Sequence, residues 1–125
     1  MTQPFSVGKA TFGDGRPTII AGPCVVETPE HAMMMARECR DRAQRAGLDF
    51  VFKASFDKAN RSSIKSFRGL GMDAGLEVLE HIQKELDVPV LTDVHDVPQV
   101  GRVAEVVDVL QIPAFLSRQT DLIVA

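Results

Sequence analysis

The sequence predicts an α/β fold in which parallel strands are joined by helical crossovers, and three observations carry that expectation. Short apolar, β-branched runs recur along the chain. Amphipathic segments with recognisable helix starts lie between them. The polar and chemically unusual residues gather on one side of each repeat, after the strands. Alternation of this kind implies parallel strands with right-handed crossovers.

Thr18–Ala21 is the first β-branched run, ended by Gly22-Pro23. Thr28-Pro29-Glu30 then reads as a helix start, with Thr as N-cap, Pro at the first helical position and an acid in the first turn. From there Ala32, Ala36, Cys39, Ala43 and Ala46 recur at spacings of four and three on one face, and Gly47 is the expected left-handed cap. Phe50–Ser55 is the second strand. A long polar stretch, 56–71, precedes a helix expected to start at Asp73 with Leu76, Leu79, Ile82 and Leu86 inward. Pro89–Val94 is the third strand. Asp96 caps the next helix, with Gln99 as its capping-box partner and Val100, Val103, Ala104 and Val107 as the apolar face. Val109–Ile112 is the fourth strand, and Asp121–Ala125 opens a fourth helix. The segment before Thr18, with turn signals at Gly8 and Gly13–Gly15, is expected to form a hairpin.

The junctions after the strands carry Gly22–Cys24, Lys53–Arg68, Asp93–His95 and Gln111–Arg118, whereas the junctions leading back into strands are short and bland. In open and closed parallel α/β folds alike the active site lies at the strand C-terminal ends. The candidate chemistry all falls on that side. Four strands would make half of an eight-stranded barrel.

The chain has 125 residues, 45% hydrophobic and 25% charged, enough for one small domain. With seven Phe and neither Trp nor Tyr, its core must come mainly from aliphatic side chains. A net charge of −3 excludes the broad basic surface that a nucleic-acid backbone requires, so anion binding must rest on a few local cations. Two cysteines, Cys24 and Cys39, cannot build a disulfide framework. The first eight residues lack the basic and apolar regions of a signal peptide. No apolar run exceeds the five residues Ala32–Ala36, too short to span a membrane. A cytoplasmic protein without nucleic-acid or membrane partners is therefore expected.

The segment Lys53–Ser63 holds three cations, Lys53, Lys58 and Arg61, among small hydroxyl and amide donors. Compact ammonium and planar guanidinium groups together suit phosphate and carboxylate oxygens. The alternative is a solvated surface loop. Lys53 interrupts an otherwise apolar strand, where a cation needs a partner or a ligand. Cys24, at a strand end, is either a metal ligand or nucleophile, or an inert small hydrophobe, as lone cysteines more often are; Cys39 belongs to a packed helix face. Asp93 and His95 alternate, so both side chains point the same way. They form either a polar pair at a site or a structural helix entry. His31 and His81 read as solvent-facing, and Glu27 stays open. Gln111–Arg118 predicts a structured loop with an amide, an exposed Phe115 and Arg118.

Taken together, Ile20–Cys24, Phe52–Ser63, Ser66–Gly69, Thr92–His95 and Val106–Leu122 closely resemble the 3-deoxy-D-manno-octulosonate 8-phosphate synthases. These enzymes condense phosphoenolpyruvate with arabinose 5-phosphate. The synthases that use erythrose 4-phosphate are similar around Ala21–Cys24, but their loop reads Lys-Pro-Arg-Thr-Ser where this chain has Lys58–Ser63. The resemblance implies a parallel (β/α)8 TIM barrel, of which the chain would supply an N-terminal hairpin and the first four β/α units, residues 1–125 being half of a single domain. It implies that Lys53 and Lys58 hold phosphoenolpyruvate, that Ser55 is a further substrate-binding residue, and that Asn60, Arg61 and Ser62 receive the pentose phosphate and its hydroxyls. Asp93, His95 and Gln111 would line the cavity floor, with Lys53, Lys58, Asp93 and His95 as the catalytic set. Phe115 and Arg118 would reach across a subunit interface of a tetramer. Cys24 resembles the first ligand of a divalent metal (Fe, Mn, Zn or Co) in the metal-dependent class. Its other expected ligands, a His, a Glu and an Asp, belong to later strands, as do a further Lys and Arg that grip phosphoenolpyruvate. The chain alone is accordingly expected to be inactive. Leu70 departs from the Pro or His expected there. The alternatives are a heptulosonate 7-phosphate synthase and a non-catalytic half-barrel.

Overall fold

A computed structural model of the protein describes residues 3–59 and 61–125. Strands β1 (Phe5–Val7) and β2 (Ala10–Phe12) form an antiparallel hairpin, followed by β3 (Thr18–Ala21), α1 (Pro29–Arg45), β4 (Asp49–Lys53) and α2 (Met72–Leu86). Then come β5 (Val90–Asp93), α3 (Val97–Ala104), β6 (Val109–Gln111), a 3-10 turn at Ala114–Leu116, and α4 (Thr120–Val124). Strands β3, β4, β5 and β6 make a four-stranded sheet in chain order, parallel throughout.

Side-chain alternation splits this sheet into two faces. Phe50, Phe52, Ala54, Val90 and Val94 point to one face and pack in a single core with Ala32, Ala36 and Ala43 of α1, Leu76, Leu79 and Ile82 of α2, Val103 of α3 and Leu122 of α4. All the helices therefore lie on one side. Burying each of the larger aliphatic side chains contributes about 1.5–3 kcal/mol, and this core is what orders the sheet. The opposite face carries Val51 and Leu91, which pack with Ala10 of the hairpin. The hairpin is tied beneath the strand starts. The Thr11 amide donates to Asp49 Oδ2 at 2.8 Å, the Thr18 hydroxyl donates to the Thr11 carbonyl at 2.5 Å, and Lys9 pairs with Asp87.

The helix starts at Thr28 and Asp96 follow the sequence: Thr28 accepts from the His31 amide at 3.1 Å and Asp96 from the Val97 amide at 2.9 Å. Four expectations need correction. Ala46 is exposed, because α1 stops at Arg45 and Gly47, at φ +68°, turns the chain away. The second helix starts at Met72 after Gly71, with Asp73 in its first turn and no side-chain cap. Gln99 does not close a capping box on Asp96; its Oε1 accepts from the His95 amide at 2.8 Å instead. Helix α3 has only two turns, leaving Ala104 exposed. Val107 reaches the core from the turn beyond, where its amide and that of Val106 both donate to the Val103 carbonyl.

Candidate functional site

The register of the sheet decides which strand-end residues share a face. Lys53 lies opposite Leu91, Leu91 opposite Val109, and Asp93 opposite Gln111. Paired residues of a parallel ladder point to the same side. Lys53 thus belongs to the row of Leu91 and Val109 on the helix-free face, and Asp93 and Gln111 form the next row toward the strand ends. Above them opens a cavity of about 300 Å³, lined by Lys58, Asp93, His95, Gln111, Phe115 and the Pro113–Leu116 turn.

Asp93 and His95 are its best-organised pair. His95 Nε2 lies 3.0 Å from Asp93 Oδ2, and both side chains are nearly buried. The ring is held from two further sides. Phe56 meets it edge to face at 5.7 Å, and Gln99 fixes the backbone of residue 95. Burial pushes the Asp93 carboxyl up, but hydrogen bonding from His95 and Ser55 and the charges of His95 and Lys58 outweigh it and hold the group at about 2. The Ser55 hydroxyl stands close enough to favour this carboxylate without completing a well-formed bond, since Ser55 Oγ and Asp93 Oδ1 both lack a partner among the described residues. His95 Nδ1 is likewise buried and unpartnered. An ammonium unpaired among the described residues, beside a rigid polar pair and the Gln111 amide, can bind a phosphorylated, hydroxyl-bearing ligand.

Beside this floor runs the polar loop. Lys53 and Lys58 are half-buried, whereas Arg61 is exposed, and of the three only Lys58 lines the cavity. The Arg61 guanidinium Nε donates to the Phe67 carbonyl at 3.1 Å, which keeps it on the outer limb of the loop. No carboxylate of the described residues lies within ion-pair distance of Lys53 or Lys58. At the first strand end, the Ser55 amide donates to the Cys24 carbonyl at 3.4 Å and the Val26 amide to the Ser55 carbonyl at 2.9 Å. The Cys24 loop is thereby stitched beside the site, with its thiol exposed. Gly22 permits this. A Cβ there would sit 1.9 Å from the Lys53 carbonyl oxygen. Among the described residues no three His, Cys, Asp or Glu side chains come together as a metal site. Cys24 alone does not fit a bound ion, and a site would need ligands from outside this chain.

The profile of the DAHP synthetase I family matches residues 3–125. The chain belongs to that family. Among curated relatives, the 2-dehydro-3-deoxyphosphooctonate aldolase of Synechococcus sp. is 55% identical over 118 residues, 94% of this chain and 42% of the relative. The protein of the same name from Koribacter versatilis is 50% identical over the whole chain and 45% of its own length, and that from Cupriavidus taiwanensis 57% identical over 84% of this chain and 36% of its own. The chain spans less than half the length of these curated relatives.

In this DAHP synthetase I family chain, the structure brings Lys58, Asp93, His95, Gln111 and Phe115 around one cavity. Ser55 joins through Asp93. Lys53, Cys24, Arg61, Ser62 and Arg118 lie outside the cavity lining, and Asn60 falls outside the described residues. Phe115 is 70% exposed at the cavity edge. Cys39 packs against the core and burial raises its thiol, in keeping with an inert role. His81 is exposed; His31 is half-buried, with Nδ1 enclosed. Sequence reasoning gave no role to Phe56 or to the Asp57–Arg68 pair, although all three lie in segments that carry the resemblance, and it read Gly22 only as a turn residue. No helix is long and apolar enough to cross a membrane among the described residues.

Proposed function

We propose that the complete polypeptide is a transferase condensing phosphoenolpyruvate with arabinose 5-phosphate and water to give 3-deoxy-D-manno-octulosonate 8-phosphate and inorganic phosphate. The observation that carries the reading is the Asp93–His95–Lys58–Gln111 cavity at the C-terminal ends of parallel strands, in a chain whose curated relatives are named 2-dehydro-3-deoxyphosphooctonate aldolase. Sequential parallel strands with every helix on one face suit a wall of a (β/α)8 barrel rather than an open sheet covered on both sides. On this reading the chain is the hairpin and first four β/α units.

In the reaction C3 of the enol phosphate bonds to the open-chain aldehyde carbon, whose oxygen takes a proton. Water adds at C2, and the hemiketal phosphate then expels inorganic phosphate. Lys58 and Lys53 hold phosphoenolpyruvate oxygens, and Arg61, Asn60 and Ser62 hold the sugar phosphate. Asp93, fixed as an anion, holds His95 in one orientation, so that the pair forms a rigid polar wall beside the reacting end of the substrate. Gln111 donates and accepts at sugar hydroxyls. Charge matching and orientation of two polyanions supply most of the rate enhancement. A divalent ion, with Cys24 as one ligand and the others from outside this chain, would polarise water when bound. Phe115, exposed at the cavity edge, and Arg118, exposed beyond it in sequence, suit contacts across a homotetramer interface. A reduced, cytoplasmic setting agrees with the two free cysteines.

The family profile is described by the heptulosonate reaction, which favours a second reading in which erythrose 4-phosphate is the acceptor. Phosphate release by the complete polypeptide, with phosphoenolpyruvate and each aldose phosphate in turn, separates the two. Faster turnover with arabinose 5-phosphate upholds the first reading, and faster turnover with erythrose 4-phosphate replaces it. Residues 1–125 alone should release no phosphate; turnover by this piece would overturn the division of the site proposed here.

A further inference from the structure

We infer that Asp57 and Arg68 are a positioning pair that clamps the polar loop shut behind Lys58, so that Arg68, although a cation beside the site, acts through Lys58 and not as a phosphate receptor. The inference rests on the proposed function only for what Lys58 holds. The clamp itself rests on geometry.

Arg68 engages the start of the loop twice. Its guanidinium forks onto the Asp57 carboxylate, Nε to Oδ1 at 2.9 Å and Nη2 to Oδ2 at 2.5 Å. Its carbonyl accepts from the Lys58 amide at 2.7 Å. Side chain and main chain of one residue therefore fix residues 57 and 58 together. A fork of two parallel bonds defines orientation as well as distance, which a single contact does not. The base of the loop has no slack either. A Cβ on Gly69 would come within 2.2 Å of the Phe56 carbonyl oxygen, and one on Gly75 within 2.5 Å of Phe56 Cβ. Phe56 is thus wedged between the returning chain and α2, while its ring braces His95. On the outer limb Arg61 holds the Phe67 carbonyl. Lys58 consequently leaves a backbone anchored on both sides, and it is the loop cation that lines the cavity.

Charge makes the same distinction. The carboxylate of Asp57 already matches the Arg68 guanidinium, and that contact raises the Arg68 pKa. Lys58 has no carboxylate within ion-pair distance among the described residues, so its charge is available to a ligand. The pair is largely exposed on the arginine side, and exposed pairs contribute little to global stability. Its effect should therefore appear locally, in the loop.

The test uses the complete polypeptide with Arg68→Gln, Asp57→Asn and the charge swap Asp57→Arg/Arg68→Asp. Two quantities are read: hydrogen exchange at the Lys58 amide, and kcat/KM for phosphoenolpyruvate. Either single change should speed exchange and lower kcat/KM, each by about tenfold or more, since small misplacements of a binding group are costly. The swap should recover most of both. Failure of the swap to restore amide protection overturns the clamp. So does weaker binding of inorganic phosphate to Arg68→Gln at unchanged Lys58 exchange, which would make Arg68 a ligand. Exchange that follows the expected pattern in a protein inactive with both aldose phosphates upholds the clamp and rejects the proposed reaction.

Discussion

Asp93 is the residue whose electrostatics can be worked through to a number. Its carboxyl is held at about 2 against an ordinary 3.8, so replacing it with Asn removes a group that is anionic in the fold well below the pH at which the unfolded chain protonates. Between these two values the unfolded state binds more protons than the native state, and stability must rise with pH through that window. The contribution is fully present above pH 4, falls away as the pH drops toward 2, and amounts to about 2 kcal/mol at the conversion of 1.36 kcal/mol per unit. Near-complete burial of Asp93 and His95 means that solvent screens little of it. Urea unfolding of the complete polypeptide and of Asp93→Asn, at half-unit steps from pH 5 to pH 2, gives the comparison. The difference in unfolding free energy between the two proteins should shrink by about 2 kcal/mol on acidification. A difference that stays flat across the window would refute the idea that His95, Ser55 and Lys58 hold this carboxylate ionised.

Further outcomes follow from the packing and the strand ends. Gly22→Ala forces a methyl to within 1.9 Å of the Lys53 carbonyl, and should destabilise by about 1–3 kcal/mol in thermal unfolding while disturbing the Cys24 turn; an unchanged Tm would show that the two strand ends can separate freely. Leu79→Ala empties the middle of the helix–sheet core and should cost about 2–5 kcal/mol in denaturant titration, whereas Thr28→Ala, which removes the cap on the His31 amide, should cost about 1 kcal/mol. Should the two losses come out equal, the core would not be where the stability lies. Cys24→Ala in the complete polypeptide should lower bound divalent metal, measured by elemental analysis, by at least about tenfold; full retention would remove Cys24 from any ligand set.

Local chemistry accounts for what could be read in advance. Thr28-Pro29 and Asp96 announce helix starts because a side-chain oxygen satisfying an orphan amide is a short-range device. The strands appear as apolar runs because both sheet faces are covered over part of their length. Concentration of polar residues after the strands reflects their common position at one end of the sheet. What escaped depends on long-range geometry. Asp93 and Gln111 share a row because their strands pair in one register, which no spacing within the chain encodes, so their grouping with Lys58 was legible only through the family resemblance. Asp57 and Arg68 face each other across eleven positions of irregular backbone, where periodicity offers no guide. Val107 looked like a helical core residue and is buried from a turn, because α3 ends after eight residues. Gly22 showed as a turn residue, but its reason, the Lys53 carbonyl pressing against it, belongs to the neighbouring strand.

The direct measurement is a calorimetric titration of phosphoenolpyruvate into the complete polypeptide and into its Lys58→Ala variant, at one fixed ionic strength. An ammonium that meets a phosphate or carboxylate inside the cavity predicts at least about tenfold weaker binding by the variant, with the fold otherwise intact. Equal affinities would place the anion elsewhere and contradict the assignment of this cavity.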